Sequence, residues 1–531
     1  MSENKKVLFK IRGLKHYFPV SGKRNMFVKA NDGIDIDIYD GETLGIVGES
    51  GCGKSTLGRV LLQLYKRTEG SILYFGKTLE DITPKYIKDI TSNLPKHRKK
   101  IAELSAELEQ KKKMLESDPN DFEKIEAYNL ARKQYNLAYF PVVTILGGLL
   151  TVNDTASVQK AYSELYSVSK DRLVIRRRVK AVELDIAEAG YVKEAHDKKN
   201  PDLADNEVVA MNISKSEIST TVASKKKLDR LEKIKSELEQ KLVEADKQVA
   251  EKQAVIDALR EKYKGDPNFA KEEKHRSEGI DLALLTVDEM RLLRSDMQII
   301  FQDPYSSLNP RMTVGQIIGE GLRAHRFFKK NSERQHDYIV KVMEECGLAP
   351  YMLHRFPNQF SGGQRQRIGI ARALAVSPDF VVCDEAVSAL DVSIQSQIIN
   401  LLQDLREKSN LTYMFISHDM SVIKYISDRI GVMYLGSFVE LCSAEKLFEK
   451  PMHPYTVALL EAIPTTDVDG EKKEMKILEG DIPSPVNPPP GCKFHTRCQY
   501  ASDMCKEVEP LLEEVEPEHF VACHHRLNAD E

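Results

Sequence analysis

The run Gly48-Glu49-Ser50-Gly51-Cys52-Gly53-Lys54-Ser55-Thr56 constrains this chain more than any other stretch. It fits G-x-x-x-x-G-K-[ST], and its flanks give the pattern meaning. Thr43-Leu44-Gly45-Ile46-Val47 reads as a buried strand, and Leu57 to Leu62 as the start of a helix. A strand, a glycine-rich loop and a helix N-terminus aim several backbone N–H groups and the positive end of a helix dipole at one point. That point suits phosphate. In such a loop Lys54 reaches the terminal phosphates of a nucleoside triphosphate and Ser55 ligates Mg2+, while Gly48, Gly51 and Gly53 let the backbone approach closely.

With 531 residues the chain allows roughly two to four domains. A hydrophobic fraction of 41% beside 30% charged residues describes a soluble protein, and a net charge of -4 gives no signal for nucleic acid. The opening MSENKKVLFKIRGL has no apolar core of the kind a secretory signal needs, which places the chain in the cytoplasm. The most apolar run, Tyr139 to Leu150, is shorter than a membrane span and is broken by Pro141 and Gly147-Gly148, so a membrane connection has to come through other subunits.

Four regions emerge along the chain. Residues 1–83 read as antiparallel strands leading into the phosphate loop, with Ile34, Ile36 and Ile38 alternating as one buried face beyond a polar loop at Gly22 to Asn25. Phe18, beside Tyr17, lies upstream of the loop; an aromatic there stacks on an adenine ring or closes a sheet edge, and the spacing alone supports both. Residues 84–284 are poor in glycine and rich in Lys and Glu. They carry a heptad seam at Leu228, Leu231, Leu238, Leu242, Ala245, Val249, Ile256, Leu259 and Tyr263, interrupted by Lys235 and Lys252. A shorter matching stretch, Ile101, Leu104, Leu108 and Leu115, stops at Asp118-Pro119-Asn120. Both stretches leave and rejoin one connection, so the expectation is a coiled-coil hairpin of these two arms with a smaller helical tip, the longer arm reaching about 60 Å. Its outer face is a solvated helix face or a docking surface for an unidentified partner.

Residues 285–450 restore the α/β pattern. The strand Gln298 to Phe301 ends in Gln302, placed to hold Mg2+ or the attacking water. Ser361-Gly362-Gly363-Gln364 precedes the helix Gln364 to Leu374, a second helix N-terminus facing an anion. The apolar strand Asp379 to Cys383 ends in Asp384, suited to Mg2+, and Glu385, which points off the other side and can take a proton from water. A turn at Ser388 to Asp391, a helix from Ile394 to Lys408 and a last apolar strand from Thr412 to Ser417 lead to His418, whose imidazole can bridge the γ-phosphate and the base.

This ordered set resembles the nucleotide-binding subunits of ABC transporters over residues 1–80 and 285–450. The resemblance implies an α/β P-loop fold with a RecA-like core, an antiparallel β subdomain and a helical signature subdomain. It assigns Gly48 to Thr56 as Walker A, Phe18 as the adenine-stacking residue, Gln302 as the Q-loop, and Ser361 to Gln364 as the signature. Asp384-Glu385 becomes Walker B with its base, Asp391 the D-loop aspartate and His418 the switch histidine. It further implies paired subunits, each ATP held between the Walker A of one and the signature of the other.

Residues 451–531 narrow the resemblance. The run Met452 to Pro464 contains His453-Pro454-Tyr455-Thr456 and is similar to a segment of oligopeptide and dipeptide importer ATPases, with no evident chemistry of its own. Cys492, Cys498, Cys505 and Cys523 crowd the tail and read as a metal site before a disulfide framework. Thiolates suit zinc or an iron–sulfur cluster, and the competing reading is four reduced thiols in a small helical tail. The importer resemblance implies a [4Fe-4S] cluster there, and Phe301-Gln302-Asp303-Pro304 onward resembles the second, F-type, ATPase subunit. The implied partners are a homologous second ATPase, two permeases and an extracytoplasmic peptide-binding protein, at the cytoplasmic face of the cell membrane. The rival is a chromosome-maintenance or DNA-repair ATPase head carrying a coiled coil, although there the coil separates Q-loop from signature and here it ends before Gln302.

Overall fold

The structure is a computed structural model that describes residues 5–23, 26–118, 121–199, 215–330, 332–462 and 480–528. Arg24 and Asn25 of the polar loop, Pro119 and Asn120 of the helix stop, residues 200–214, which lie between the two arms of the expected hairpin, and Ile463 and Pro464 lie outside the described residues.

Twelve strands form two sheets among the described residues: β1 (Val7–Pro19), β2 (Phe27–Tyr39), β3 (Thr43–Val47), β4 (Glu69–Tyr74), β5 (Ile280–Asp281), β6 (Met297–Ile300), β7 (Phe380–Asp384), β8 (Thr412–Ile416), β9 (Arg429–Tyr434), β10 (Ser437–Ser443), β11 (Glu513–Glu516) and β12 (His519–Val521). The smaller sheet, ordered β2-β1-β4-β5, is antiparallel throughout. Its alternating Ile34, Ile36 and Ile38 are all buried, as period 2 requires of a one-faced sheet. The larger sheet runs β11-β12-β10-β9-β3-β8-β7-β6, and its β9-β3-β8-β7-β6 stretch is parallel. Strands β3, β7 and β8 are buried along their whole length, which is why they read as continuous apolar runs without alternation. Parallel strands present their carboxyl ends on one edge, so the loops after β3, β6, β7 and β8 gather there.

Between β4 and β5 the chain leaves the sheet and returns to it in register: Tyr74 pairs with Ile280 and Leu73 with Asp281. Arg67 grips Asp281 through both guanidinium nitrogens at 2.7 and 2.9 Å, with both side chains under a tenth exposed. Such a buried fork fixes the two ends of the excursion beside each other. The excursion builds its own core from Ile87, Val142, Val143, Leu146, Leu149, Val158 and Ile256. The apolar run from Tyr139 is therefore packed against protein, and no single helix among the described residues is long and apolar enough to cross a membrane.

The helical pairing differs from expectation. The helix Leu94–Ser117 packs against Phe122–Leu146, and the heptad-bearing helix Lys215–Tyr263 packs instead against Thr155–Lys199. The connection between the first two helices is too short to let the first reach a distant partner. At 49 residues the heptad helix is about 74 Å long. Its named seam residues are less exposed than their neighbours, except at Leu259, where Arg260 beside it is equally half-buried. The two interruptions are paired across the seam: Lys235 with Glu183 at 3.2 Å and Lys252 with Glu164 at 2.8 Å. With Arg172–Asp246 these pairs run in opposite directions along the two helices, so the pair is antiparallel. Helix Thr155–Lys199 then bridges two parts of the main body. Arg172 and Arg176 meet Asp81, while Asp185 pairs with Lys329 at 2.5 Å, Glu188 accepts from Ser332 at 2.7 Å and Tyr191 bonds Asp337.

The tail is not all helical, as the competing reading of four reduced thiols had it: Cys505 lies in the short helix Asp503–Glu507, but between it and Cys523 β11 and β12 form a hairpin that extends the large sheet through β10. Pro517-Glu518, with Glu518 at φ +60°, makes the turn that a helix could not contain.

Candidate functional site

The phosphate loop sits at the carboxyl end of β3. Its helix begins at Lys54, three residues before the apolar run suggested, because Gly53 at φ +106° caps it. A Cβ on Gly53 would lie 2.0 Å from the Ala30 carbonyl oxygen, so both space and backbone exclude a larger residue. The Leu57 N–H bonds the Gly53 oxygen at 3.0 Å, and the N–H groups of Lys54, Ser55 and Thr56 open toward the loop. Lys54 is buried, its Nζ donating to the carbonyls of Gly48 at 2.7 Å and Glu49 at 3.0 Å. Ser50 and Gly51 are exposed at the tip, and the Cys52 thiol is buried beside Lys54, its pKa pushed up by burial. Glu49 departs from the expectation that this loop's amides converge: its N–H turns away from the loop and meets the Tyr455 hydroxyl at 2.9 Å.

Around this loop the parallel sheet assembles the other groups. Ser55 Oγ donates to Asp384 Oδ1 at 2.5 Å, joining the ends of β3 and β7. Two hard oxygen donors, one from the first turn of the loop's helix and one from the end of β7, suit Mg2+. Glu385 follows in a left-handed conformation, φ +48°, which swings its carboxylate out of the strand line; a non-glycine residue held there carries strain of about 1–2 kcal/mol. That carboxylate is the meeting point of the site. Gln302 Nε2 donates to its Oε2 at 2.6 Å, and His418 Nδ1 lies 3.5 Å from the same oxygen. Gln302 thus sits on the carboxylate of Glu385 and makes no bond to Asp384 in this arrangement.

Six expected site residues, Ser361 to Gln364, Asp391 and Phe18, lie apart. Ser361 caps the helix Gly362–Leu374 in a reciprocal box with Gln364, at 3.4 and 3.2 Å; Ser361 and Gly362 are exposed, and Gly363 packs on Ile394. Among the described residues none of their hydrogen bonds reaches Gly48 to Thr56. Asp391 caps the helix Val392–Ser409 with its side chain exposed and making no cap bond. Phe18 packs edge-on against His16 at 4.5 Å and Tyr65 at 5.4 Å, half-buried in β1.

Sequence reasoning missed four groups. Arg59, one turn along the loop's helix, donates to Asp384 Oδ2 at 3.3 Å. Asn31, buried in β2, donates to the Gly53 carbonyl at 3.2 Å. Tyr455 and Arg497 both hold Glu49, the latter through a two-nitrogen fork at 2.8 and 3.0 Å. The segment around His453 consequently has a structural task that its sequence concealed. His453 Nδ1 accepts from the Tyr455 N–H at 3.0 Å, and Glu440 accepts from the Met452 and His453 N–H groups and from His519 at 2.8 to 3.0 Å. Glu440, Cys442 and His519 lie within 4.8 Å of one another, fully buried, and the carboxylate already has three donors.

The four tail cysteines form no disulfide. Burial raises the pKa of Cys492 and Cys498, and pushes that of Cys523 up to about 12; neighbouring thiols among the four add to each rise. Their sulfurs therefore share one locale, although Cys492 and Cys523 are well apart in the chain.

A phosphate loop, a carboxylate pair at a strand end and a capped Ser-Gly-Gly helix on one parallel sheet define a small set of families. The ABC transporter family model matches residues 31–256 and 252–388. The chain belongs to the ABC transporter family. A second family model, described as the C-terminal region of oligopeptide/dipeptide transporters, matches residues 439–505. This ABC chain is 50% identical over 248 residues to the oligopeptide transport ATP-binding protein AppF of Bacillus subtilis, covering 46% of the chain and 75% of that protein. It is 53% identical over 246 residues to a putative peptide import ATP-binding protein of Brucella ovis, covering 46% and 77%. To OppF of Salmonella typhimurium it is 51% identical over 236 residues, covering 44% and 70%. These relatives are peptide-transport ATP-binding proteins, and the chromosome-maintenance reading finds no support in these matches.

Proposed function

We propose that this chain is the ATP-hydrolysing subunit of a membrane importer for oligopeptides or dipeptides, acting at the cytoplasmic face beside a homologous ATPase, two permeases and an extracytoplasmic binding protein. The observation that carries the reading is the convergence of Gln302 and His418 on Glu385, beside the Ser55–Asp384 contact. Glu385 takes the proton of the attacking water, Gln302 and His418 orient its carboxylate, and Lys54 with the amides of residues 51–56 holds the phosphates. Ser55 and Asp384, with Gln302 on nucleotide binding, would hold Mg2+, which supplies charge neutralisation at the transferred phosphate. Ser361 to Gln364 and Asp391 point outward because their nucleotide is the partner's, so each site is completed across a dimer. Phe18 stacks on adenine, as the family pattern suggests, or remains in its aromatic cluster with Tyr65.

The residue divisions 1–83, 84–284, 285–450 and 451–531 correspond in this reading to the first part of the nucleotide-binding domain, a helical insert, the second part and the importer tail. Cys492, Cys498, Cys505 and Cys523 would carry a [4Fe-4S] cluster: four unpaired thiols from a sheet-anchored tail meet its ligand requirement. The insert meets a partner of its own.

The test is Glu385→Gln in the assembled transporter with the companion's own composite site disabled. Turnover should fall about a hundredfold or more while MgATP still binds; native turnover would overturn the assignment of the base.

A further inference from the structure

The tail reaches into the phosphate loop, and it does so at one residue. Glu49 is held at both ends by side chains from beyond position 450. Its carboxylate takes the Arg497 fork and its amide the Tyr455 hydroxyl. The Arg497 side chain is 4% exposed, and that of Glu49 22%. Between these two ties lies the peptide that shapes the loop. The Glu49 oxygen accepts from Lys54 Nζ and from the Cys52 N–H at 3.2 Å, and the adjacent Gly48 oxygen accepts from Lys54.

The two holding residues are themselves immobilised. Arg497 closes the short turn His495–Arg497 and bonds its own N–H to the Phe494 oxygen at 3.0 Å. Phe494 packs against Tyr434 and Tyr455, both at 5.3 Å between ring centres, and Tyr434 packs on Tyr455 at 4.8 Å. Lys493, next in line, bonds Ser437 at 2.6 Å and Asp32 at 3.2 Å, fastening the same turn to β10 and β2. A rigid fork on a rigid platform costs little further order when a ligand arrives.

We propose that Arg497 and Tyr455 are positioning residues for ATP: they fix the phosphate loop through Glu49, and Arg497 neutralises a carboxylate that would otherwise stand among the triphosphate's negative charges. A carboxylate in a phosphate loop opposes its own ligand unless a cation is bound to it. Arg497 supplies that cation from a segment more than four hundred residues away in sequence. The loop's affinity for nucleotide is thereby placed under the control of the tail, and a tail that shifts changes ATP binding before it changes hydrolysis. Neither residue touches the water or Glu385, so the effect falls on KM more than on kcat.

The experiment measures MgATP binding to the purified full chain by titration calorimetry, alongside circular dichroism and steady-state turnover. Arg497→Met should weaken MgATP by about tenfold or more, since a charge-assisted fork is lost and a bare carboxylate is left facing the phosphates. Adding Glu49→Gln to that variant should recover at least half of the logarithm of the loss, because the repelling charge goes with it. Tyr455→Phe, which removes one oxygen, should weaken binding less than Arg497→Met and leave the dichroism native. A purely structural tie would give no recovery in the double variant. The proposal is overturned if natively folded Arg497→Met binds MgATP within about twofold of the native chain, or if the double variant is as weak as the single.

Discussion

His453 offers a prediction whose size follows from the structure. Its ring is 1% exposed, and burial lowers its pKa from 6.5 to about 4, against the opposing pull of Glu440. Cys442 and His519 stand with Glu440 as the other titratable groups of this pocket, and the Phe494 ring covers one side at 5.8 Å. Nδ1 accepts the Tyr455 N–H, so the proton that acid would add has no place in the folded site. On acidification the unfolded chain takes up this proton first, below pH 6.5, and the folded chain only near pH 4. Stability is therefore full above pH 6.5 and is lost as the pH falls through that window. The full difference is worth about 3.4 kcal/mol, and about 2 kcal/mol of it is expressed at pH 5. Asparagine at this position keeps an acceptor for the helix N-terminus and removes the titration. In urea denaturation of the full chain at pH 7.5 and pH 5, the native protein should lose about 2 kcal/mol more than His453→Asn between the two pH values. Parallel losses would refute the argument, since other histidines titrate equally in both proteins.

Three further outcomes follow from the same geometry. Gly53→Ala should destabilise the loop by about 3 kcal/mol and abolish MgATP binding, because its Cβ would meet the Ala30 oxygen at 2.0 Å; calorimetry with and without nucleotide reads both. Arg67→Met leaves Asp281 buried and unpaired at the root of the helical excursion and should cost about 3–5 kcal/mol in thermal or urea unfolding. Lys252→Glu sets two carboxylates against each other across the helix pair; its small destabilisation in urea unfolding should disappear when Glu164→Lys restores the pair, and both effects should shrink at high salt because the groups face water.

The nucleotide chemistry was legible in the residues because each piece is local. A loop between strand and helix, a carboxylate pair ending an apolar strand and a histidine ending another each carry their meaning within about ten positions. Parallel strands then had to bring their carboxyl ends to one edge, so Gln302, Glu385 and His418 could be expected together before any distance was known. The seam of the long helix was equally local, and even its lysines at seam positions fell where the less exposed side of the helix lies. Its partner was not, since a heptad pattern specifies that a helix pairs without specifying with which one. Leu94–Ser117 carried a similar pattern and took a different neighbour because of the short connection that follows it. The tail's hairpin was not legible for a related reason: the cysteines drew attention to a metal site, while the hairpin that joins the tail to β10 rests on pairing with residues about eighty positions earlier.

By itself the sequence determined a parallel α/β core with a phosphate loop, the placing of Gln302, Glu385 and His418 at the ends of its strands, and the presence of long amphipathic helices. Only the tertiary structure decided that Glu385 is turned out of its strand at φ +48°, that the helices pair as two hairpins, and that Arg497 and Tyr455 close on Glu49. The reason is one of range. Backbone geometry and periodicity act over a few residues and leave their mark in the order of amino acids. An ion pair between positions 49 and 497 leaves none, because any Glu and any Arg will serve until packing brings those two within 3 Å.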